Sequence, residues 1–217
     1  MIRGVIFDMD GLMFDTERIW TTLWAPALEQ LGQPAPTDDF VAGARGLAGE
    51  NMLHYLAKHY PAVDPQLLLD TVNGIGKTAL ANGAPAKPGL YELLEYLDQA
   101  GLPRVVASSS SHETIDRYLR IAGIERYFSG RISGQDVQYS KPNPAIFLKA
   151  AQVLGLPPQD CLVLEDSFNG VRAGHASGAV TVMVPDLAQP DAEIRQLYNA
   201  CCRDLLEVRD LLKAGRL

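Results

Sequence analysis

The stretch VIFDMDGLMFDTE, residues 5–17, passes from three apolar residues into a segment carrying three aspartates and a glutamate. A short apolar run closed by an Asp-Gly pair reads as a buried strand followed by a turn. Carboxylates grouped at the end of such a strand repel one another. The grouping costs free energy unless a cation or a hydrogen-bond network offsets it. Which segments can stand beside that strand decides the fold; what offsets its charge decides the chemistry.

Four runs have the composition of buried strands: GVIF (4–7), RVVA (104–107), CLVL (161–164) and VTVMV (180–184), with a weaker one at SGRIS (129–133). They show no polar alternation, as expected of a parallel sheet covered on both faces. Helical patterns separate them. GLYELLEYLDQA (89–100) follows Pro88, a natural helix start, while ETIDRYLRIAG (113–123) and NPAIFLKAAQVLG (143–155) end in glycine. Alternating strand and helix from residue 85 onward predicts right-handed βαβ units and an α/β fold. Residues 15–83 break the rhythm, with helical patterns at 16–31, 48–60 and 65–81 and no convincing strand. The expected division is therefore an α/β core from 1–14 and 84–217, interrupted by an all-helical insertion over 15–83, with NGAPAKPG (82–89) as the return linker.

The chain has 217 residues, 47% of them hydrophobic and 21% charged, enough for one substantial domain plus an insertion. A net charge of −7 argues against nucleic acid as a partner, since a phosphate backbone calls for a basic face. MIRGVIFD has too few apolar residues before its first acid for a signal peptide or a membrane span. The three cysteines cannot all pair, and Cys201 and Cys202 are adjacent, so reduced thiols and a cytoplasmic location are expected. Two motifs are set aside. NGIGKT (73–78) resembles the end of a phosphate-binding loop, but the required first glycine falls on Thr71 and no strand precedes it. His54 and His59 are five residues apart and do not share a helix face as a two-histidine metal site requires.

Four places carry chemistry. Asp8 and Asp10 follow the first strand, at the end of a parallel sheet where ligands bind; one carboxylate there can attack phosphorus while another handles protons. Alternatively they are turn acids facing solvent. VVASSSSHE (105–113) runs a strand into four serines, whose hydroxyls and N–H groups suit phosphate oxygens. Ser108 is the candidate ligand, and Ser111 a helix cap. In SKPNPAIF (140–147), Pro142 and Pro144 fix the backbone, so Lys141 is held at a defined point where it can neutralise a phosphate and a carboxylate. CLVLEDSFNG (161–170) ends a buried strand in Glu165 and Asp166. If that strand lies beside the first, Asp8, Asp10 and Asp166 surround one Mg²⁺, an ion that prefers oxygen ligands.

Together these segments resemble the haloacid dehalogenase superfamily of aspartate-nucleophile phosphohydrolases, and the helical insertion is similar to the cap of its β-phosphoglucomutase-like branch. The resemblance covers essentially the whole chain and rests chiefly on DMDGLMFDTE and LEDSFNG. It implies a Rossmann-like sheet with the first strand central, flanked by the second and fourth. It implies Asp8 as nucleophile and metal ligand, and Asp10 as general acid/base that also ligates metal through its carbonyl. Ser108 and Lys141 would hold the phosphoryl group. Asp166 would complete the metal site, with Glu165 a ligand through water or an orienting acid.

The resemblance further implies a cap that closes over the site and reads the substrate. Glu17, Arg45 and Lys77 are its polar candidates, with Ser109 and His112 as substrate readers on the core; each is equally a solvated polar side chain. The expected activity is Mg²⁺-dependent hydrolysis of a small phosphorylated metabolite, a sugar phosphate, through an aspartyl-phosphate, by a monomer. The alternatives are a sugar-phosphate mutase and a non-catalytic sensor of a phosphorylated ligand. In the mutase pattern a histidine stands five residues after the aspartate that opens the cap helix. Here that aspartate is Asp15 and the position holds Trp20, which cannot exchange a proton as imidazole can.

Overall fold

The computed structural model describes every residue of the chain except Gly46 and Ala48. The chain divides into two compact units, one formed by Met1–Asp15 with Gly83–Leu217, the other by Thr16–Asn82.

The first unit is built on six parallel strands: β1 (Gly4–Phe7), β2 (Arg104–Ser108), β3 (Gly130–Ser133), β4 (Cys161–Glu165), β5 (Val180–Met183) and β6 (Ala200–Cys201). Their order is β3-β2-β1-β4-β5-β6, so β1 lies between β2 and β4 as the resemblance implies. Every residue of β1, β2 and β4 is buried, which is why these runs lack polar alternation. Ile6, Val105, Ala107 and Val163 share a cluster with Ile146, Phe147 and Ala150 of the helix Ala145–Leu154. Two-residue β6 has no sequence signature of its own; it forms because β5 offers it an open edge.

The helices of the first unit follow their local signals. Leu90–Gln99 forms a helix whose cap, Gly89, sits at φ 86°, and a Cβ added there would lie 2.8 Å from the backbone carbon of Leu205. The helix thus starts one residue beyond the glycine, and Pro88 lies outside it, accepting a hydrogen bond from Leu205 N at 3.3 Å. His112–Ile121 is capped by Ser111, Ala145–Leu154 ends on left-handed Gly155, and Phe168–Ser177 is capped by Ser167. Leu205–Lys213 closes the chain on an Asp204 cap. The segments that leave and re-enter this unit pair with each other: Asp15 N donates to Pro85 O at 2.8 Å and Lys87 N to Met13 O at 2.9 Å. Lys87 Nζ then anchors the returning segment, 2.6 Å from Asp186 Oδ1.

The second unit is all-helical. Its helices are α1 (Thr16–Gln30), α2 (Asp38–Ala44), α3 (Gly49–His59) and α4 (Pro65–Ala79). The helices of the first unit, in chain order, are then α5 (Leu90–Gln99), α6 (His112–Ile121), α7 (Ala145–Leu154), α8 (Phe168–Ser177) and α9 (Leu205–Lys213). The helix expected over 48–60 begins at Ala48, which lies outside the described residues. α2 is not expected from sequence. It spans only seven residues, and it is fixed by Thr37, whose side chain accepts from Phe40 N at 3.1 Å, and by burial of Phe40 among aromatic rings. NGIGKT lies inside α4, where Gly76 allows the Trp20 indole to press against the helix. It is a packing site. No described helix is long and apolar enough to cross a membrane, and all three cysteines are free.

Candidate active site

Register brings the acids together. Phe7 pairs with Val106 on β2 and Leu164 on β4, so the next residues along each strand, Asp8, Ala107 and Glu165, stand side by side at one edge of the sheet. Parallel strands put all their carboxyl ends on that edge, and the helices that follow present their N-termini there. Asp8 N donates to Leu164 O at 3.0 Å, which holds the residue in line after the strand ends.

Lys141 enters from the segment before α7 and occupies the middle of this edge. Its ammonium has three protons and three acceptors: Asp8 Oδ1 at 2.5 Å, Glu165 Oε1 at 2.7 Å and Ala107 O at 3.3 Å. The Phe147 ring lies 4.8 Å below it. Burial by itself lowers the lysine's pKa, but the charges of Asp8 and Glu165 and their hydrogen bonds outweigh that and hold it above the ordinary value. Lys141 is therefore a fixed, charged group rather than a solvated one.

Glu165 is held from the other side by the start of α8. Its Oε2 accepts from Asp166 N at 2.9 Å, Ser167 N at 2.9 Å and Ser167 Oγ at 3.0 Å. A side chain at Gly170 would overlap the carboxyl, so the glycine of LEDSFNG makes room for the acid. Both oxygens of Glu165 are thus engaged, one with backbone and cap, one with Lys141.

Two carboxylates, those of Asp8 and Glu165, share this ammonium, and Asp166 stands beside them as a third acid. Burial pushes the Asp8 carboxyl well above the usual range; Lys141 opposes that, and the charges of Glu165 and Asp10 add to it. Oxygens of Asp8, Glu165 and Asp166 lie within 4.8 Å of one another. An all-oxygen set with surplus negative charge fits a hard divalent cation, and burial of all three acids makes the unscreened repulsion large. Such a cation would supply the offset that acids grouped at this edge require.

The serine loop supplies the remaining polar edge. Asp10 Oδ2 accepts from Ser108 Oγ at 3.2 Å and from Ser110 Oγ at 2.8 Å. Ser110 is a contact the sequence reading misses: four consecutive serines give no local sign of which one faces the acid. Ser109 is exposed, and Ser111 caps α6 through Thr114 N. His112 is tied to Asp136, Nε2 to Oδ2, at 2.9 Å. Buried Tyr118, beneath this loop, is pushed up to about 12 by burial and then by the charge of Asp10. Glu17, Arg45 and Lys77 belong to the helical unit: Glu17 in the first turn of α1, Arg45 at the exposed C-cap of α2, Lys77 on exposed α4 surface.

Residues 2–178 match the family model described as haloacid dehalogenase-like hydrolase, and the chain belongs to that family. It is 34% identical over 193 residues to the "Probable pseudouridine-5'-phosphatase" of Drosophila melanogaster, a match spanning 85% of this chain and 82% of the relative. Hexitol phosphatase B of Escherichia coli K12 is 28% identical over 215 residues, spanning 94% of this chain and 97% of that enzyme. Among solved structures, a HAD family hydrolase from Deinococcus radiodurans R1 with bound phosphate and sodium superposes with a TM-score of 0.79 at 30% identity, covering 100% of this chain and 97% of that one. The fold and these relatives are those of a phosphoric monoester hydrolase.

Proposed function

We propose that the protein is a Mg²⁺-dependent phosphatase of a small phosphorylated metabolite, with a sugar phosphate as the substrate class, working through a phosphorylated Asp8. One observation carries the reading: a buried carboxylate, Asp8, bonded at 2.5 Å to a buried ammonium, Lys141, within an acidic cluster sized for a cation. A purely structural ion pair needs no second and third acid beside it.

Asp8 and Asp166 would hold the metal through side-chain oxygens and Asp10 through its carbonyl. Glu165, both of whose oxygens are already engaged, serves as the acid that orients Lys141. Bound magnesium would supply positive charge next to the transferring phosphoryl oxygens. The Asp8 carboxylate attacks phosphorus as the ester oxygen departs, and Asp10 gives that oxygen its proton. Lys141 and Ser108 hold the equatorial oxygens while charge spreads over them. Asp10, now ionised, takes a proton from water as the water attacks the phosphorus of the aspartyl-phosphate. Inorganic phosphate leaves and Asp8 is regenerated.

The helical unit is the cap in this reading, with Glu17, Arg45 and Lys77 as its polar readers and Ser109 and His112 as readers on the sheet unit. Trp20, at the position where the mutase pattern has a histidine, packs against Gly76 and the helical core. That favours release of phosphate over its return to a sugar. The test is hydrolysis of p-nitrophenyl phosphate and a panel of sugar monophosphates with and without Mg²⁺. Magnesium-dependent phosphate release is expected, lost in Asp8→Asn; inertness of the parent toward the whole set contradicts the reading.

A further inference from the structure

We infer that Ser110 is a positioning residue that holds the Asp10 carboxyl in place for proton transfer once Ser108 has been drawn to the substrate. The inference rests on the phosphatase reading above and deepens it.

Two hydroxyls donate to one and the same oxygen of Asp10, Ser110 at 2.8 Å and Ser108 at 3.2 Å. Their positions give them different futures. Ser108 is the last residue of β2, buried, and stands one residue past Ala107, whose carbonyl accepts from Lys141. It is the hydroxyl best placed to turn to a phosphoryl oxygen, and a hydroxyl has a single proton to give. When Ser108 turns, its bond to Asp10 is lost. Ser110 has no such competing task.

Ser110 is itself anchored, although it lies beyond the end of β2. Its carbonyl accepts from Ser133 Oγ at 2.7 Å, and Ser133 is fully buried at the end of β3. Its N–H donates to Ser108 Oγ at 3.0 Å. Gly134 brings the following turn against the neighbouring Ser109 carbonyl, so closely that an added Cβ would lie 2.6 Å from that oxygen. The backbone of Ser110 is therefore clamped from β3, and its side chain points at Asp10. Pinning Oδ2 fixes the plane of the carboxyl; no described residue bonds Oδ1, the oxygen that meets the leaving group and the water. A general acid acts only from hydrogen-bond distance, so loss of the pin should weaken proton transfer and spare phosphoryl binding.

Leaving-group dependence separates this role from a merely structural one. A good leaving group such as p-nitrophenolate departs without a proton, whereas a sugar alkoxide needs one. In Mg²⁺, Ser110→Ala is expected to lower kcat on a sugar monophosphate by about tenfold or more, within the roughly 10²–10⁴-fold reach of acid–base help, with KM little changed. Its kcat on p-nitrophenyl phosphate should stay within about threefold of the parent, and Ser110→Thr, which keeps the hydroxyl, should recover most of the loss. In an Asp10→Asn background the same Ser110→Ala change should have little further effect, because its partner can no longer transfer the proton. If Ser110→Ala does not fold, Ser110→Cys, a weak donor, takes its place in each comparison. Equal losses on both substrates, or an undiminished loss in the Asp10→Asn background, would overturn the inference while leaving the phosphatase reading standing. A parent enzyme inert on both substrates would overturn the reading itself, and this inference with it.

Discussion

Nine residues with polar or charged side chains are buried among the described residues; eight lie in the sheet unit and only Thr16 lies in the helical unit. The helical unit fills its interior with Trp24, Phe40, Leu56 and Leu68, and rings pack on Phe40 from several sides, Trp24 at 5.2 Å and Tyr60 at 5.0 Å between centroids. The sheet unit instead buries Asp8, Glu165 and Asp166 at the carboxyl edge of its strands. Burying an acid without compensation is costly, so buried acids mark where a partner is built in; an apolar core needs no such partner. Under the proposed reading, the difference goes with reaction chemistry in the sheet unit and selection of substrate through exposed groups of the helical unit.

That contrast can be broken most sharply at Asp8. Asp8→Asn keeps the shape of the side chain and removes the nucleophile, so turnover should fall to background in a protein that melts as a folded unit. Turnover within tenfold of the parent would move the chemistry away from this edge. Asp10→Asn comes next, with a loss of about 10²–10⁴-fold on sugar phosphates and a smaller one on aryl phosphates. Equal losses on the two substrate classes would contradict its role in proton transfer.

Asp166→Ala tests the cation. It should raise the Mg²⁺ concentration for half-maximal activity by about tenfold or more, and should shrink the rise in melting temperature that Mg²⁺ gives the parent, since an ion stabilises only the state that binds it. An unchanged thermal response would place the ion elsewhere. The smallest effect is expected on the helical unit. Arg45→Ala should raise KM for a sugar monophosphate by up to about tenfold and leave p-nitrophenyl phosphate kinetics nearly unchanged, as loss of a substrate contact does. A fall in kcat on both would erase the division of labour between the two units.

What could be read in the sequence follows the same division. β1, β2 and β4 are legible because strands buried on both faces must be apolar throughout, and their ends are legible because carboxylates are conspicuous after such a run. α7 announces itself through Gly155, whereas α8, capped by Ser167, is not among the helices expected from sequence. α2 is not legible: Asp38, Asp39 and Gly43 give it a weak pattern, and what fixes it is Phe40 entering an aromatic cluster with Tyr55 and Tyr60, distant in sequence. Ser110 is hidden for a related reason. Its hydroxyl is selected over those of its neighbours by the Ser133 bond, which exists only once β2 and β3 are in register, Ser108 opposite Ser133. Glu165 reads from sequence as either a metal neighbour or an orienting acid. Its placement depends on room left by Gly170 and on Lys141, twenty-four residues away in the chain.

Covalent capture at Asp8 is the most direct test of the central claim. The protein, in Mg²⁺ and with a ³²P-labelled phosphate monoester that the parent hydrolyses, is quenched in acid within a single turnover, then digested after borohydride reduction. An acyl phosphate is reduced to the alcohol, so an aspartate that carried the phosphoryl group becomes homoserine. Hydroxylamine-labile label on the protein, with homoserine at position 8 and no label on Asp8→Asn, is the expected result. Hydrolysis of the ester by the parent with no label at any time, or with label on a different residue, would contradict a phosphorylated Asp8.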